Sequence, residues 1–414
     1  MPTSAPLRPT HDDEYEDLLG LWGDLESGLS VLLSRPQNVV DFGAKVRQFD
    51  QWLQDLVAHD IDSALYLMFQ LAATSTVGYS TSHALVCGTL CHIMAREFGL
   101  PVTERNALVR AALTMNIAMT RLQDELAAQR EQPSPAQKEA INAHPHRSQD
   151  LLVQLNITNG LWLDLVGQHH ERVSERDPLH SLSEVDRLTR ILGTIDRYAA
   201  MISPRKSRAG RSATDSVRAI VGQEVDQRDQ VSYTLVRSIG LCPPGTFVKL
   251  DNGETAIVLR RSDKANLPLV ASLLNRNGTA YREPRLHSTS HGKPRIQSSL
   301  PPTWMRPWAI RNDGAPAFSR NSIWRWWMTS EANFWSRALT RTRLLNSSHS
   351  NFCERPKRPQ LQAMSPNRNV VRNSHRSSEW WSVCVLVCPL ASVLVRVVVH
   401  LCVSRTNGSP FPSP

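Results

Sequence analysis

The chain has 414 residues, enough for two or three domains with a large buried core, and a formal net charge of +9. The charge is unevenly placed: from Arg295 onward there are 16 Lys and Arg against 4 Asp and Glu, which leaves the preceding part mildly acidic. A nucleic-acid partner is therefore not expected for the folded part.

In chain order, the first expected elements are amphipathic helices within residues 14–70. Leu18, Leu19, Trp22, Leu25 and Leu29 recur at helical spacing, as do Phe49, Trp52, Leu53 and Leu56, and Ser34-Arg35-Pro36 separates the two segments. A third helix is expected over 80–98, stopped by Gly99-Leu100-Pro101, and a single long helix over 103–128 with Thr103 as N-cap. Ser134-Pro135 starts another, with proline in its first turn. Further helices are expected near 157–170 and 183–202, and helical patterning continues over 214–239. Composition then changes at Cys242-Pro243-Pro244-Gly245. Two β-rich runs flank Asp251-Asn252-Gly253-Glu254, a hairpin signal, and 267–274 supplies a third strand before the turn Asn275-Arg276-Asn277-Gly278. A small antiparallel β module of about 50 residues follows from this.

From about residue 291 the composition is dominated by Arg, Ser and Pro, and eight of the eleven Trp lie there. No periodicity persists, so this tail is expected to be disordered, the product of a reading-frame shift or mistaken gene boundary; a Trp/Arg-rich membrane-active or nucleic-acid-binding tail is the functional alternative. The apolar run 380–403 is long enough to span a bilayer but is interrupted by Pro389, Arg396 and His400, so no membrane association is expected. Residues 1–13 lack a signal-peptide core. The seven cysteines are odd in number and form no C-x-x-C pair. A reducing compartment, the cytoplasm, fits this usage.

The residues able to carry chemistry are histidines and an aspartate: His83 in YSTSHALVCGTLCHIM, His144 in INAHPHRSQDLL, His169 and His170 in LWLDLVGQHHERVSERD, and Asp196 in RLTRILGTIDRYAAMISPRKSR. Imidazole and carboxylate are the usual ligands of Zn, Fe or Mn, and bundle cores build metal sites from facing helices. Each also has a plainer reading. His83 shares a face with Cys87, Leu90 and Met94 and suits a core histidine. His144-Pro145 suits a loop before a helix, His169-His170 a helix C-terminal cap, and Asp196 an ion pair with a neighbouring arginine. Cys87 and Cys91 with His83 would make a Cys-Cys-His zinc site, but core packing is preferred because no fourth ligand is evident. No phosphate-binding glycine loop and no nucleophile elbow is present. Spacing alone therefore stops at a possible metal site in a helical bundle.

Order and context add a resemblance. From about His83 to Gly278 the chain resembles the HD-GYP family. YSTSHAL is similar to the family's first histidine helix, LVRAALTMNIAMTRLQDEL to the helix carrying its His-Asp doublet, AHPHRS to its His-Pro segment, VGQHHERVSERD to its H-H-E-R-x-D-G-S-G-Y-P signature, and RILGTIDRYAAMISPRKSR to the segment with its last aspartate ligand. The resemblance implies a helical domain that binds two or three transition metals and hydrolyses cyclic di-GMP in the bacterial cytoplasm. It places the metal ligands at His83, His144, His169, His170 and Asp196.

The departures from the family pattern weigh as much. Met115-Asn116 stand where the doublet is expected, Met119 replaces a lysine, Tyr79 replaces a carboxylate four residues before the first histidine, and the Gly-Tyr-Pro loop is absent. A thioether and a neutral amide cannot hold two dications close together. The resemblance thus implies a catalytically impaired signalling protein with one transition metal (Fe, Mn or Zn) on His144, His169 and His170, or equally none. Its expected partners are a cyclic dinucleotide or a signalling protein, with a homodimer possible. Arg172, Arg190, Arg205 and Arg208 are candidate phosphate contacts, each with a surface role as the plainer reading. A phosphodiesterase with a reduced metal set and a protein-interaction module without ligand remain the alternatives. The expected organisation is a helical N-terminal region (1–75), an HD-type helical domain (76–240), the β module (241–290) and the tail (291–414).

Overall fold

The computed structural model describes residues 11–301 apart from 75–76, 175–176, 208–209 and 222–228. From residue 302 onward the expected tail, with its apolar run, lies outside the described residues, as does Arg208. The described part is mainly helical and ends in one antiparallel sheet. Among these residues no helix is long and apolar enough to cross a membrane.

The first two expected segments form α1 (His11–Ser34) and α2 (Phe42–His59). Leu18, Trp22, Leu25 and Leu29 of α1 are buried, in keeping with their spacing. Asp41 caps α2 by accepting from the Ala44 amide. A helix boundary that the apolar pattern did not mark follows at Asp60. Its carboxylate takes the amides of Asp62 and Ser63 and starts α3 (Ile61–Thr74). The central element is α4 (Tyr79–Glu97), buried at every position from Ser80 to Ala95. It packs against α3, against α5 (Val102–Thr114) and against α9 (Glu184–Ile202).

The single helix expected over 103–128 is broken. The chain leaves α5 at Met115, passes Asn116 at φ −102° and ψ 12°, makes a 3-10 turn at Ile117–Met119 and resumes as α6 (Thr120–Ala128). Thr103 is not the cap either, since Pro101 precedes the first helical residue. Tertiary hydrogen bonds sustain the break. The Ser148 hydroxyl accepts from the Ala118 amide, and Trp162 Nε1 donates at 2.9 Å to the Thr114 hydroxyl, which itself donates to the Arg110 carbonyl.

Ser134 begins α7 (Pro135–Gln154) with a full capping box closed by Gln137. Asn159 caps α8 (Gly160–Gln168), and the helical patterning of 214–239 resolves into α10 (Ala213–Val221) and α11 (Gln230–Ile239).

Five strands follow rather than three: β1 (Phe247–Leu250), β2 (Thr255–Arg260), β3 (Leu269–Leu274), β4 (Ala280–Ser288) and β5 (Ile296–Ser299), in the order β4-β3-β2-β1-β5. The fifth lies past residue 290, the expected end of the module, and pairs with β1. Alternation gives the sheet two apolar faces. Phe247, Ile257, Leu259 and Leu273 join the helical core, and Val248, Leu250, Ala256, Val258 and Val270 form a second cluster with Cys242. The ion pairs Arg260–Asp60 (2.9 Å) and Arg261–Asp62 (2.6 Å) tie β2 and the residue after it to the start of α3.

Gly245 makes the turn into β1 at φ +86°, where a Cβ would stand 2.8 Å from the Tyr66 carbonyl oxygen of α3. Gly245→Ala should therefore lose more than the roughly 1–2 kcal/mol of a left-handed residue. Chemical denaturation should show a lowered midpoint, and an unchanged midpoint would contradict this packing.

Candidate metal centre

The first donor group is built by two backbone accidents. Pro145 sits inside α7 and has no amide to offer the carbonyl four residues back, that of Ile141. His144 fills the gap by donating its Nδ1–H to that carbonyl. His169 ends α8, where carbonyls lack helical partners, and its Nδ1–H goes to the Val166 carbonyl at 2.7 Å. A carbonyl only accepts, so both rings carry their proton on Nδ1 and turn Nε2 lone pairs outward. Those two Nε2 atoms face each other at 3.1 Å.

Burial pushes His144 down to about 4 and His169 down to about 3, against the pull of their carbonyl bonds, so both are neutral at pH 7. Two lone pairs at that distance repel unless a cation lies between them. Tetrahedral zinc with Zn–N bonds of about 2.0–2.1 Å would set its nitrogens about 3.3 Å apart. The exposed His170 completes the set: its ring lies 5.1 Å from His144 and 4.3 Å from His169, and the three donor atoms fall within 4.8 Å of one another. The donors fit a metal ion. The helix-cap reading of the His-His pair holds for one nitrogen of His169 and leaves the other free to bind.

The second group lies on α4 and α9. His83 Nε2 is 2.8 Å from Asp196 Oδ1 and 3.6 Å from Cys87 Sγ, and these donors also lie within 4.8 Å of one another. Burial pushes Asp196 up, but the hydrogen bond from His83 and the nearby imidazoles outweigh it and hold the carboxyl well below its usual range. The ring of Tyr79 stacks on His83 at 5.8 Å, and Arg205 lies over Tyr79 and donates to its hydroxyl at 2.9 Å. Burial raises the Tyr79 phenol above its ordinary value despite that guanidinium.

The structure thus divides the five expected ligands into two groups and adds Cys87 to one of them. Cys91 is buried and stands in neither group. Gly193 of α9 passes so close to His169 that a Cβ there would lie 3.1 Å from its carbonyl oxygen, which packs α9 against the end of α8. Met115 is fully buried, and Asn116 is half-buried at the helix break beside α7.

Of the expected phosphate contacts, Arg205 stands beside the second group and Arg172 is exposed. Arg190 differs from the expectation: it is buried, paired with Asp229, and donates to the carbonyls of Ser174 and Asp177. Its guanidinium is committed to the fold.

The depressed histidines fix the sign of a pH effect. In the unfolded chain they titrate near 6.5, so the unfolded state binds more protons below that pH and stability falls as pH drops from about 6.5 toward 3. By pH 5 each contributes a loss on the order of 2 kcal/mol. Denaturant midpoints at pH 7.5 and pH 5 measure it, and equal midpoints would refute neutral burial of the pair.

The HD domain family model matches residues 61–229. A cyclic di-GMP phosphodiesterase of Pseudomonas aeruginosa is 24% identical over 195 residues, 46% of this chain and 46% of that protein, so the alignment spans about half the length of this relative. A solved structure of an HDG"Y"P protein from Bdellovibrio bacteriovorus aligns with 13% identity and a TM-score of 0.42, over 56% of this chain and 72% of that one. Residues 61–229, which hold the histidine helix, the His-His pair and the final aspartate, thus match the HD domain family and are similar to part of a cyclic di-GMP phosphodiesterase.

Proposed function

We propose that this chain is a signalling protein that binds cyclic di-GMP through a metal held on His144, His169 and His170, with two-metal hydrolysis weak or absent. The observation that carries the metal assignment is the pair of Nε2 lone pairs facing at 3.1 Å. The nucleotide is suggested by the phosphodiesterase relative and by Arg205 beside the Asp196 group. When bound, the metal supplies a Lewis acid for a phosphate oxygen.

The chain's own residues do the rest. The carbonyls of Ile141 and Val166 hold the two imidazoles in one tautomer, and Asp196 with His83 keeps a negative charge beside them. Arg205, steadied on the Tyr79 ring, is the guanidinium that a phosphate would meet. Impairment follows from charge. A bridging anion is needed to hold two dications a few ångströms apart, and position 116 offers an amide.

Calorimetric titration of the metal-loaded chain with cyclic di-GMP, alongside a hydrolysis assay with Mn or Fe supplied, tests the reading. Binding with little or no turnover is expected. Steady turnover that His169→Ala abolishes would replace it with an active phosphodiesterase, and failure to bind nucleotide would leave a protein-interaction module.

A further inference from the structure

We propose that the cavity between α10 and β5 is a ligand site of its own, for a hydroxyl-rich small molecule that carries an oxyanion. It lies where the helical part meets the sheet and has a volume of about 620 Å3. Cavities that hold small molecules run from about 300 to 1,000 Å3, so this one has room for far more than a lone ion. Its walls come from 212–218 at the start of α10, from 241–242 and 266–267, from the 3-10 turn at Thr289–His291, and from β5. None of the donors of the two histidine groups lines it.

Charge points to the class of ligand. Among the described lining residues, two guanidiniums, Arg218 of α10 and Arg295 before β5, stand against a single carboxylate, Asp215. Asp215 is already met by the Ser212 hydroxyl at 2.7 Å. It lies 3.3 Å from Arg218, but both side chains are exposed, and a surface pair of that kind holds its cation weakly. Arg295 is exposed, and its guanidinium has no hydrogen bond or ion pair among the described residues; only its backbone is engaged, with Asp251. Guanidinium forks match the oxygens of phosphate and carboxylate alike. Asn266, Gln297 and Ser298 add exposed amides and a hydroxyl that suit sugar hydroxyls, and Leu241, Leu267 and Ile296 supply apolar surface for a ring face. The Thr214 amide donates to the Ser299 hydroxyl at 3.2 Å, so α10 and β5 already touch. A ligand held by Arg218 and Arg295 would add a second tie between the helical part and the sheet.

Titrating the metal-free full-length chain with glucose 6-phosphate, gluconate and glucose tests this apart from the nucleotide. Saturable binding of an oxyanion compound is expected, and the tighter of the first two tells phosphate from carboxylate. Glucose should bind about 10–100-fold more weakly, the worth of a hydrogen bond to a charged group. Arg295→Gln should weaken the oxyanion by a similar factor, and so should Arg218→Gln. Both arginines are exposed, so neither variant disturbs the core. His169→Ala should bind as the parent does, which separates this site from the imidazole triad. Absence of saturable binding, glucose binding as tightly as the oxyanions, undiminished affinity in Arg295→Gln, or loss of binding in His169→Ala would each overturn the proposal.

Discussion

A chain carrying His169→Ala is expected to hold one metal equivalent fewer than its parent after zinc loading and desalting. His169 supplies one of the two nitrogens that face at 3.1 Å, and without it His144 and His170 remain as two donors from different elements. Losing a residue that merely orients a ligand weakens metal binding by about 10–100-fold, so losing the ligand should exceed about 100-fold. Stability gives a second readout. A metal present at 100 times its dissociation constant stabilises the folded form by about 2.7 kcal/mol. That increment should appear in the parent on zinc addition and be absent from the variant. Equal metal content in the two proteins would mean that the imidazoles are packing residues.

The second large effect is at Arg190. Its guanidinium binds Asp229, the N-cap of α11, and the carbonyls of Ser174 and Asp177 in the loop that follows the His-His pair. Asp229 in turn accepts from the amide and hydroxyl of Ser232 at 2.8 Å, and Arg190 and Ser232 together hold its carboxyl below the usual range against the effect of burial. Arg190→Met leaves a buried carboxylate without its cation, a loss of about 3–5 kcal/mol. A melting temperature lower by on the order of 10 °C is expected. Arg190→Lys should recover little, since an ammonium cannot serve three separate acceptors in one plane. If Arg190 instead met a ligand phosphate, the variant would melt normally and lose only ligand affinity.

Legibility in the sequence followed the range of the interactions. Helix order, the Ser134-Pro135 start and the hairpin at Asn252-Gly253 rest on neighbours within a few residues, and they read correctly. The break at Met115-Asn116 did not, because apolar spacing runs on through it while the deciding partners, Ser148 and Trp162, come from other helices. β4 and β5 escaped notice for a related reason. β4 lies at the sheet edge, carries Pro284 and buries only that one residue fully, and Ile-Gln-Ser-Ser of β5 has no alternation to display. At the site, all five expected ligands belong to one or other donor group. Cys87 was seen but matched with Cys91, since its partner Asp196 lies more than a hundred residues on. Arg190 looked like a surface cation because Asp229, 39 residues away, marks its burial only in the folded chain.

Pro145 has a role that its chemistry alone would not suggest. An imino acid there withholds a proton from Ile141 and so dictates where the His144 ring keeps its own. With Pro145→Ala, the main chain would reclaim the Ile141 oxygen, and the imidazole would become a free rotor able to point either nitrogen at an ion. The readiness of this centre for an ion is thus governed by a residue outside the donor set, and drift at position 145 would erode it while every imidazole stayed in place.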